Sequence, residues 1–185
     1  KQGVFWRVSI AAGMALAGQV GFLAHQIPIA LQQTGEFASV VSVTIVAISA
    51  AIGRLMTAFA SRLVGVTRIA ALCYALQGVG ILIVSIAKTT ALLWFGCSVA
   101  GFVVGAIVML SPMLVREAFG SMDYGKNYAA VNVILYLFAA VSPWFLGYMF
   151  DQHQSYAVGL MTLFIIQVVA AVLILPIVNS AKLSP

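Results

Sequence analysis

Six long apolar stretches, separated by short polar connections, dominate the sequence and limit the folds it can adopt. They cover residues of about 5–31, 37–62, 68–87, 91–116, 127–150 and 155–178. A helix needs about 20 mostly apolar residues to cross the hydrocarbon core of a bilayer. The chain is 63% hydrophobic and only 7% charged, whereas a soluble domain carries about 25% charged residues. We therefore predict that residues 1–185 form one all-α membrane domain of six transmembrane helices.

Positive charge is concentrated at one end of the predicted bundle. With six spans, both termini and the second and fourth connections lie on one side of the membrane, and the only cation on the other side is Lys88. The first side carries Lys1, Arg7, Arg62, Arg68, Arg116, Lys126 and Lys182. Because cytoplasmic connections are enriched in Lys and Arg, we predict that both termini are cytoplasmic, in an inner or plasma membrane. The net charge of +5 is thereby explained without a nucleic-acid partner.

Small residues mark the faces on which helices are predicted to pack. Gly101 and Gly105 form a GxxxG motif in the fourth span. A ridge of small residues recurs every fourth position in the second span, at Ser49, Gly53, Thr57 and Ser61. Small side chains let membrane helices approach closely and gain dispersion contacts. The pattern predicts a compact bundle and nothing more specific.

Proline spacing suggests an internal repeat. Gly21 precedes Pro28 by seven residues in the first span, and Gly105 precedes Pro112 by the same interval in the fourth. The match is either a coincidence or the trace of a nested three-plus-three repeat, as found within transporter halves. These two prolines, with Pro143 in the fifth span, are expected to kink their helices and to help shape and gate a cavity.

Arg54 lies deep inside the second apolar stretch. It precedes Arg62 by eight residues, which places it about 12 Å from the inner boundary of a helix. A central arginine costs about 2.5–3.5 kcal/mol on insertion scales. The four acidic residues, Glu36, Glu117, Asp123 and Asp151, all fall at span ends or in connections. Arg54 therefore either reaches headgroups or backbone carbonyls, or grips an anion in a water-lined cavity, where its planar fork suits a carboxylate.

Three further polar residues are candidates for lining that cavity. His25 lies in the outer part of the first span, where it is either a packed, hydrogen-bonded side chain or a group that contacts substrate or relays a proton. Asn132 and Tyr136 share one face of the fifth span because they are four residues apart. Each also has a plainer explanation as an interhelical hydrogen-bonding group.

The sequence contains no motif for catalysis, for a cofactor or for a metal site. It lacks HExxH, GxSxG and P-loop patterns, and we predict that the protein is not an enzyme. Cys73 and Cys97 fall within predicted spans and have no metal-ligand spacing, so we expect two reduced, packed thiols. The first apolar stretch is too long for a signal peptide and is expected to remain in the mature protein.

The stretch "AHQIPIALQQTGEFASVVSVTIVAISAAIGRLMTAFASRLVG" resembles the start of the second half of a major facilitator superfamily transporter. The similarity is to the oxalate/formate antiporter and monocarboxylate transporter-like branches. The eighth family helix carries a Gly-Arg-Leu pattern that ends in a later glycine, matched here by Gly53, Arg54, Leu55 and Gly65. The sequence departs from the pattern at Ala58, Arg62 and Leu63, which replace a glycine and the Asp-Arg pair of a cytoplasmic gate latch.

A second stretch, "DYGKNYAAVNVILYLFAAVSPWFLGYMFDQHQSY", resembles the eleventh family helix and the turn that follows it. The matching positions are Pro143, Gly147, Asp151, Ser155 and Tyr156. Gln154 stands where the family usually has glycine.

The resemblance implies that the chain is helices seven to twelve of a twelve-helix transporter that works by alternating access. It implies that Arg54 binds a small organic anion of the mono- or dicarboxylate class, by symport or antiport. The implied partners are an N-terminal six-helix half, the lipid bilayer and, as an open question, a co-transported proton. The residues assigned to gating or helix packing are Gly53, Gly65, Arg62, Gly101, Gly105, Pro28, Pro112, Pro143, Gly147 and Asp151. The alternative is a self-standing six-helix membrane protein with a structural or regulatory role.

Overall fold

The structure is a computed structural model that describes residues 2–175, and within that range every regular element is a helix. The helices are α1 (Gln2–Thr34), α2 (Glu36–Val64), α3 (Val66–Ser85), α4 (Thr90–Phe119), α5 (Tyr124–His153) and α6 (Ala157–Ile174). All six are long and apolar enough to cross a membrane. The predicted fold class is confirmed, and the chain is an integral membrane protein. Lys1, Lys182 and the end of the sixth predicted span, 176–178, lie outside the described residues.

The helices extend beyond most of the apolar stretches because their polar flanks are also helical. α4 continues through Arg116 to Phe119, and α1 ends only at Thr34. A single residue, Gly65, separates α2 from α3, with φ 96° and its N–H donated to the Ser61 carbonyl at 3.2 Å. A backbone at positive φ excludes most side chains, so a glycine permits this tight reversal.

The packing order of the helices has an internal two-fold pattern. α2 packs most extensively on α4, and α1 packs to a similar extent on α5. Exchanging α1 with α4, α2 with α5 and α3 with α6 converts one of these contacts into the other, and α3 packs on α6 between them. This is the arrangement that a nested three-plus-three repeat requires, because each helix of the first triplet occupies the place of its counterpart in the second.

Glycines set the separation of α2 and α4. A side chain at Gly53 would collide with the backbone carbonyl of Phe102, and one at Gly101 or Gly105 would meet the backbone of Val46 or Ala50. The two backbones are therefore in direct contact. In lipid, such contact replaces the hydrophobic effect as the source of helix association.

Exposure is uneven across the bundle. α1 is the most buried helix, whereas α2 and α5 expose most of their apolar side chains. Leu55 and Phe59 on α2 are 74% and 67% exposed, and Trp144 on α5 is 68% exposed. The outer faces of α2 and α5 thus have no cover within residues 2–175 and must meet lipid or another part of a larger assembly.

Candidate functional site

Arg54 lies on the exposed side of α2 and reaches across to α4. It is ten residues before the end of the helix at Val64, which is about 15 Å along the axis. Its Nε donates a long hydrogen bond of 3.4 Å to the carbonyl oxygen of Gly105. Within residues 2–175 the two terminal nitrogens of the guanidinium have no hydrogen-bond partner. Arg54 therefore touches a backbone carbonyl, as one reading of the sequence required, and also keeps its outer edge free, as the other required.

Gly105 makes this arrangement possible. A β-carbon at Gly105 would collide with the backbone oxygen of Ala50 and lie 3.2 Å from the β-carbon of Arg54. Without that atom, α2 and α4 come close enough for the arginine to reach a main-chain oxygen of its neighbour. The glycine that the sequence suggested for helix packing is also what positions the cation.

No carboxylate shares the depth of Arg54. Glu36 begins α2, Glu117 lies in the last turn of α4, Asp123 precedes α5 and Asp151 lies in the last turn of that helix. Glu117 accepts a hydrogen bond from the hydroxyl of Thr67 at 3.1 Å. The free edge of the Arg54 guanidinium is therefore available for an external anion.

His25 joins α1 to α5 and to the turn that precedes α6. Its Nε2 lies 3.0 Å from the carbonyl oxygen of Pro143, and its Nδ1 lies 3.2 Å from the hydroxyl of Tyr156. Because a carbonyl only accepts, Nε2 carries the proton, and the tyrosine hydroxyl donates to Nδ1. Both nitrogens are thus engaged within the chain. A role of His25 towards substrate or proton would require one of these bonds to open.

Asn132 and Tyr136 lie along α5 and do not contact Arg54. Asn132 is half-buried, and Tyr136 is 65% exposed. Further along the same helix, Trp144 and Tyr148 are both exposed and stack with ring centroids 5.7 Å apart. α5 thus presents a face of aromatic and amide groups, on a different helix from the cation.

The other predicted positions are distributed between contacts and helix ends. Arg62 lies exposed in the last turn of α2, and Asp151 lies exposed at the end of α5. Gly147 faces His25, whose Cε1 would be 3.8 Å from an added β-carbon. Pro28, Pro112 and Pro143 all lie inside continuous helices.

One buried polar network was not recognised from the sequence as a unit. The side-chain amide nitrogen of Gln167 donates to the Ala15 carbonyl at 3.0 Å and to Gln77 Oε1 at 2.8 Å. It connects α6, α1 and α3 in the fully buried centre of the bundle. Each residue is visible in the sequence as a lone polar group in an apolar stretch, but no spacing links three separate helices. Tyr156, the partner of His25, was hidden for the same reason.

No protein-family model matches the chain, and no curated protein matches it. Among solved structures, it is similar to a crystal structure of a single-site variant of the E. coli fucose:proton symporter FucP, with a TM-score of 0.77 and 11% sequence identity. The similarity covers 98% of this chain and 43% of the symporter chain. The chain therefore has the fold of one half of a major facilitator superfamily transporter and spans less than half the length of that structure. The finer resemblance to the oxalate/formate and monocarboxylate branches stays a prediction.

Proposed function

We propose that this chain forms half of a secondary transporter for a small organic anion, with Arg54 as the anion-binding residue. The observation that carries the proposal is the free outer edge of a guanidinium held deep in an apolar helix, with every acidic residue at a helix end. The proposed mechanism is alternating access, in which two halves rock about a site near the middle of the membrane. The second wall of the site would come from an N-terminal six-helix half.

The geometry of Arg54 favours a carboxylate gripped end-on. Gly105 occupies Nε, so the remaining donors are the two terminal nitrogens, which lie in one plane and match the two oxygens of a carboxylate. The hydrogen bond to Gly105 also fixes the plane of the guanidinium before an anion arrives. Binding then neutralises the charge, so the loaded site crosses the apolar centre at lower cost than the empty one.

A neutral sugar is the second candidate. FucP is a fucose:proton symporter by its title, and that comparison gives no support to a carboxylate. The exposed aromatic and amide groups of α5, Tyr136, Trp144 and Asn132, suit a sugar, because flat rings pack on its C–H faces while an amide binds its hydroxyls. In that case Arg54 would hold a hydroxyl or a neighbouring helix.

The sidedness and the coupling ion are also proposals. The bias of arginine and lysine predicts cytoplasmic termini, which a reporter fused at each end would test. If a proton is co-transported, His25 is the candidate in this half, and His25→Gln should then abolish the pH dependence of uptake. Unchanged pH dependence in His25→Gln would assign coupling to another residue.

Thermal stabilisation of the full-length protein by candidate substrates separates the two readings. We expect formate, oxalate or lactate to raise the melting temperature of the wild type and to have no effect on Arg54→Gln. Arg54→Lys keeps the charge and loses the two-pronged grip, so it should restore only a minor part of the effect. The matched control is Arg62→Gln, which removes a cation at the end of the same helix. Stabilisation by fucose that survives in Arg54→Gln would contradict the anion proposal and support the sugar.

A further inference from the structure

A groove opens where α4 ends and α5 begins. It has a volume of about 350 Å³ and is lined by Pro112, Met113, Arg116, Ser121 and Tyr124. This is the size of a site for a small molecule, since ligand pockets hold about 300–1,000 Å³. The lining combines one guanidinium and two hydroxyls with two apolar side chains, which is the chemistry that a small organic anion requires.

The groove lies on the same face of α4 as the carbonyl that holds Arg54. Arg116 follows Gly105 by eleven residues, which is three helical turns plus about 20°, or about 16 Å along the axis. Pro112 lies on the same line at about 20° to the other side. Val108, one turn after Gly105, is 56% exposed, so the face between the two levels is not covered within residues 2–175.

The two cations are spaced to act in sequence. A separation of about 16 Å exceeds the screening length of about 8 Å at physiological salt, so each can hold an anion independently. A cation at the mouth of a path also raises the local concentration of anions there. The weak packing of α4 on α5 is what leaves the groove open.

We infer that this groove is a second anion-binding station, with Arg116 as its cation and Ser121 and Tyr124 as hydrogen-bonding groups. It rests on the proposed function in that the anion passing through it is the one that Arg54 binds. An anion released by Arg54 towards the end of the bundle where α4 ends would meet Arg116 before bulk water. The station predicts that Arg116 governs access from that side only.

Cysteine labelling of the full-length protein tests the station without requiring transport. We expect Ser121→Cys to react faster with an anionic methanethiosulfonate reagent than with a cationic one, by about tenfold relative to the same ratio for a free thiol. Oxalate should slow the reaction of the anionic reagent. Arg116→Gln should abolish both the preference and the protection, whereas Arg68→Gln, on the same side but not in the groove, should retain both. Cys73 and Cys97 are buried, and the parent protein measures their background.

The outcomes separate the station from the proposed function. Oxalate protection of Ser121→Cys that persists in Arg54→Gln supports the station even if Arg54 binds nothing. Equal losses in Arg116→Gln and Arg68→Gln would overturn it, since the preference would then belong to the whole basic face. The neighbouring Met122 is 96% exposed and does not line the groove. Labelling of Met122→Cys without any labelling of Ser121→Cys would show a closed groove and also overturn the station.

Discussion

The α2–α4 and α5–α1 contacts are built on the same plan and carry different chemistry. In the first, Gly105 of α4 faces Ala50 and Arg54 of α2, and in the second, Gly21 of α1 faces Ser142 and Leu146 of α5. In both cases the two facing residues are four apart. Arg54 and Leu146 therefore hold equivalent places in the two halves of the repeat, yet Leu146 is fully buried and Arg54 is exposed.

The difference shows which features the fold requires and which were added to it. Both contacts need a glycine on α1 or α4, because helices in lipid associate through close backbone approach. Neither contact needs an arginine, since the equivalent place accepts leucine. Arg54 is thus a departure from an otherwise repeated packing scheme, which favours a role in binding over a role in folding.

Exchanging the two equivalent residues should give the largest effect. Leu146→Arg would place a charge in a fully buried site and is expected to lower stability by at least about 3 kcal/mol. Arg54→Leu should leave stability unchanged or raised while removing any response to anions. Equilibrium unfolding of the full-length protein in mixed micelles measures both. Comparable losses of stability in the two variants would mean that Arg54 is a structural residue.

The next effect compares two glycines with different neighbours. At Gly53 a methyl group would meet the Phe102 backbone, which cannot move aside, so we expect Gly53→Ala to cost about 2–3 kcal/mol. At Gly147 the nearest atom is His25 Cε1 at 3.8 Å, so Gly147→Ala should change stability by less than about 0.5 kcal/mol. The same unfolding measurement ranks the pair, and a reversed order would contradict the backbone contact of α2 with α4.

A double-mutant cycle tests the α5–α1 contact. The Ser142 hydroxyl donates to the Ala17 carbonyl at 2.6 Å and occupies the space that a methyl at Gly21 would need. Gly21→Ala should cost about 1–2 kcal/mol, and Ser142→Ala about 0.6–1.5 kcal/mol. The double variant should recover about 1 kcal/mol of their sum, because the methyl then fills the vacated space. Simple additivity would show that the two residues are not in contact.

The smallest effect concerns the end of α5. Gln154 has φ 52° and ψ 26°, a left-handed conformation that favours glycine, and its side chain donates to the Asp151 carbonyl at 3.1 Å. Gln154→Gly should relieve the strain and raise stability by about 0.5 kcal/mol after loss of that bond. Gln154→Ala keeps the strain and loses the bond, so it should lower stability. The two variants are compared by melting temperature, and a shift in the same direction for both would contradict the strain.

The local features of this protein follow from its sequence because they depend on composition and spacing along one chain. Six apolar stretches of bilayer length determine six helices, and the depth of Arg54 within one of them determines that a cation lies far from both helix ends. The glycine that the resemblance expects at Gln154 corresponds to a left-handed backbone in the structure. Each of these properties can be read without knowing which helices are neighbours.

The pairing of helices was decided only by the tertiary structure. Apolar helices are nearly interchangeable in lipid, where burial against a helix and burial against acyl chains differ little in free energy. The sequence therefore could not show that Arg54 reaches Gly105, that His25 is held between Pro143 and Tyr156, or that Arg116 lines a groove beside α5. Those facts depend on side chains from distant segments meeting in space, and only the packed bundle brings them together.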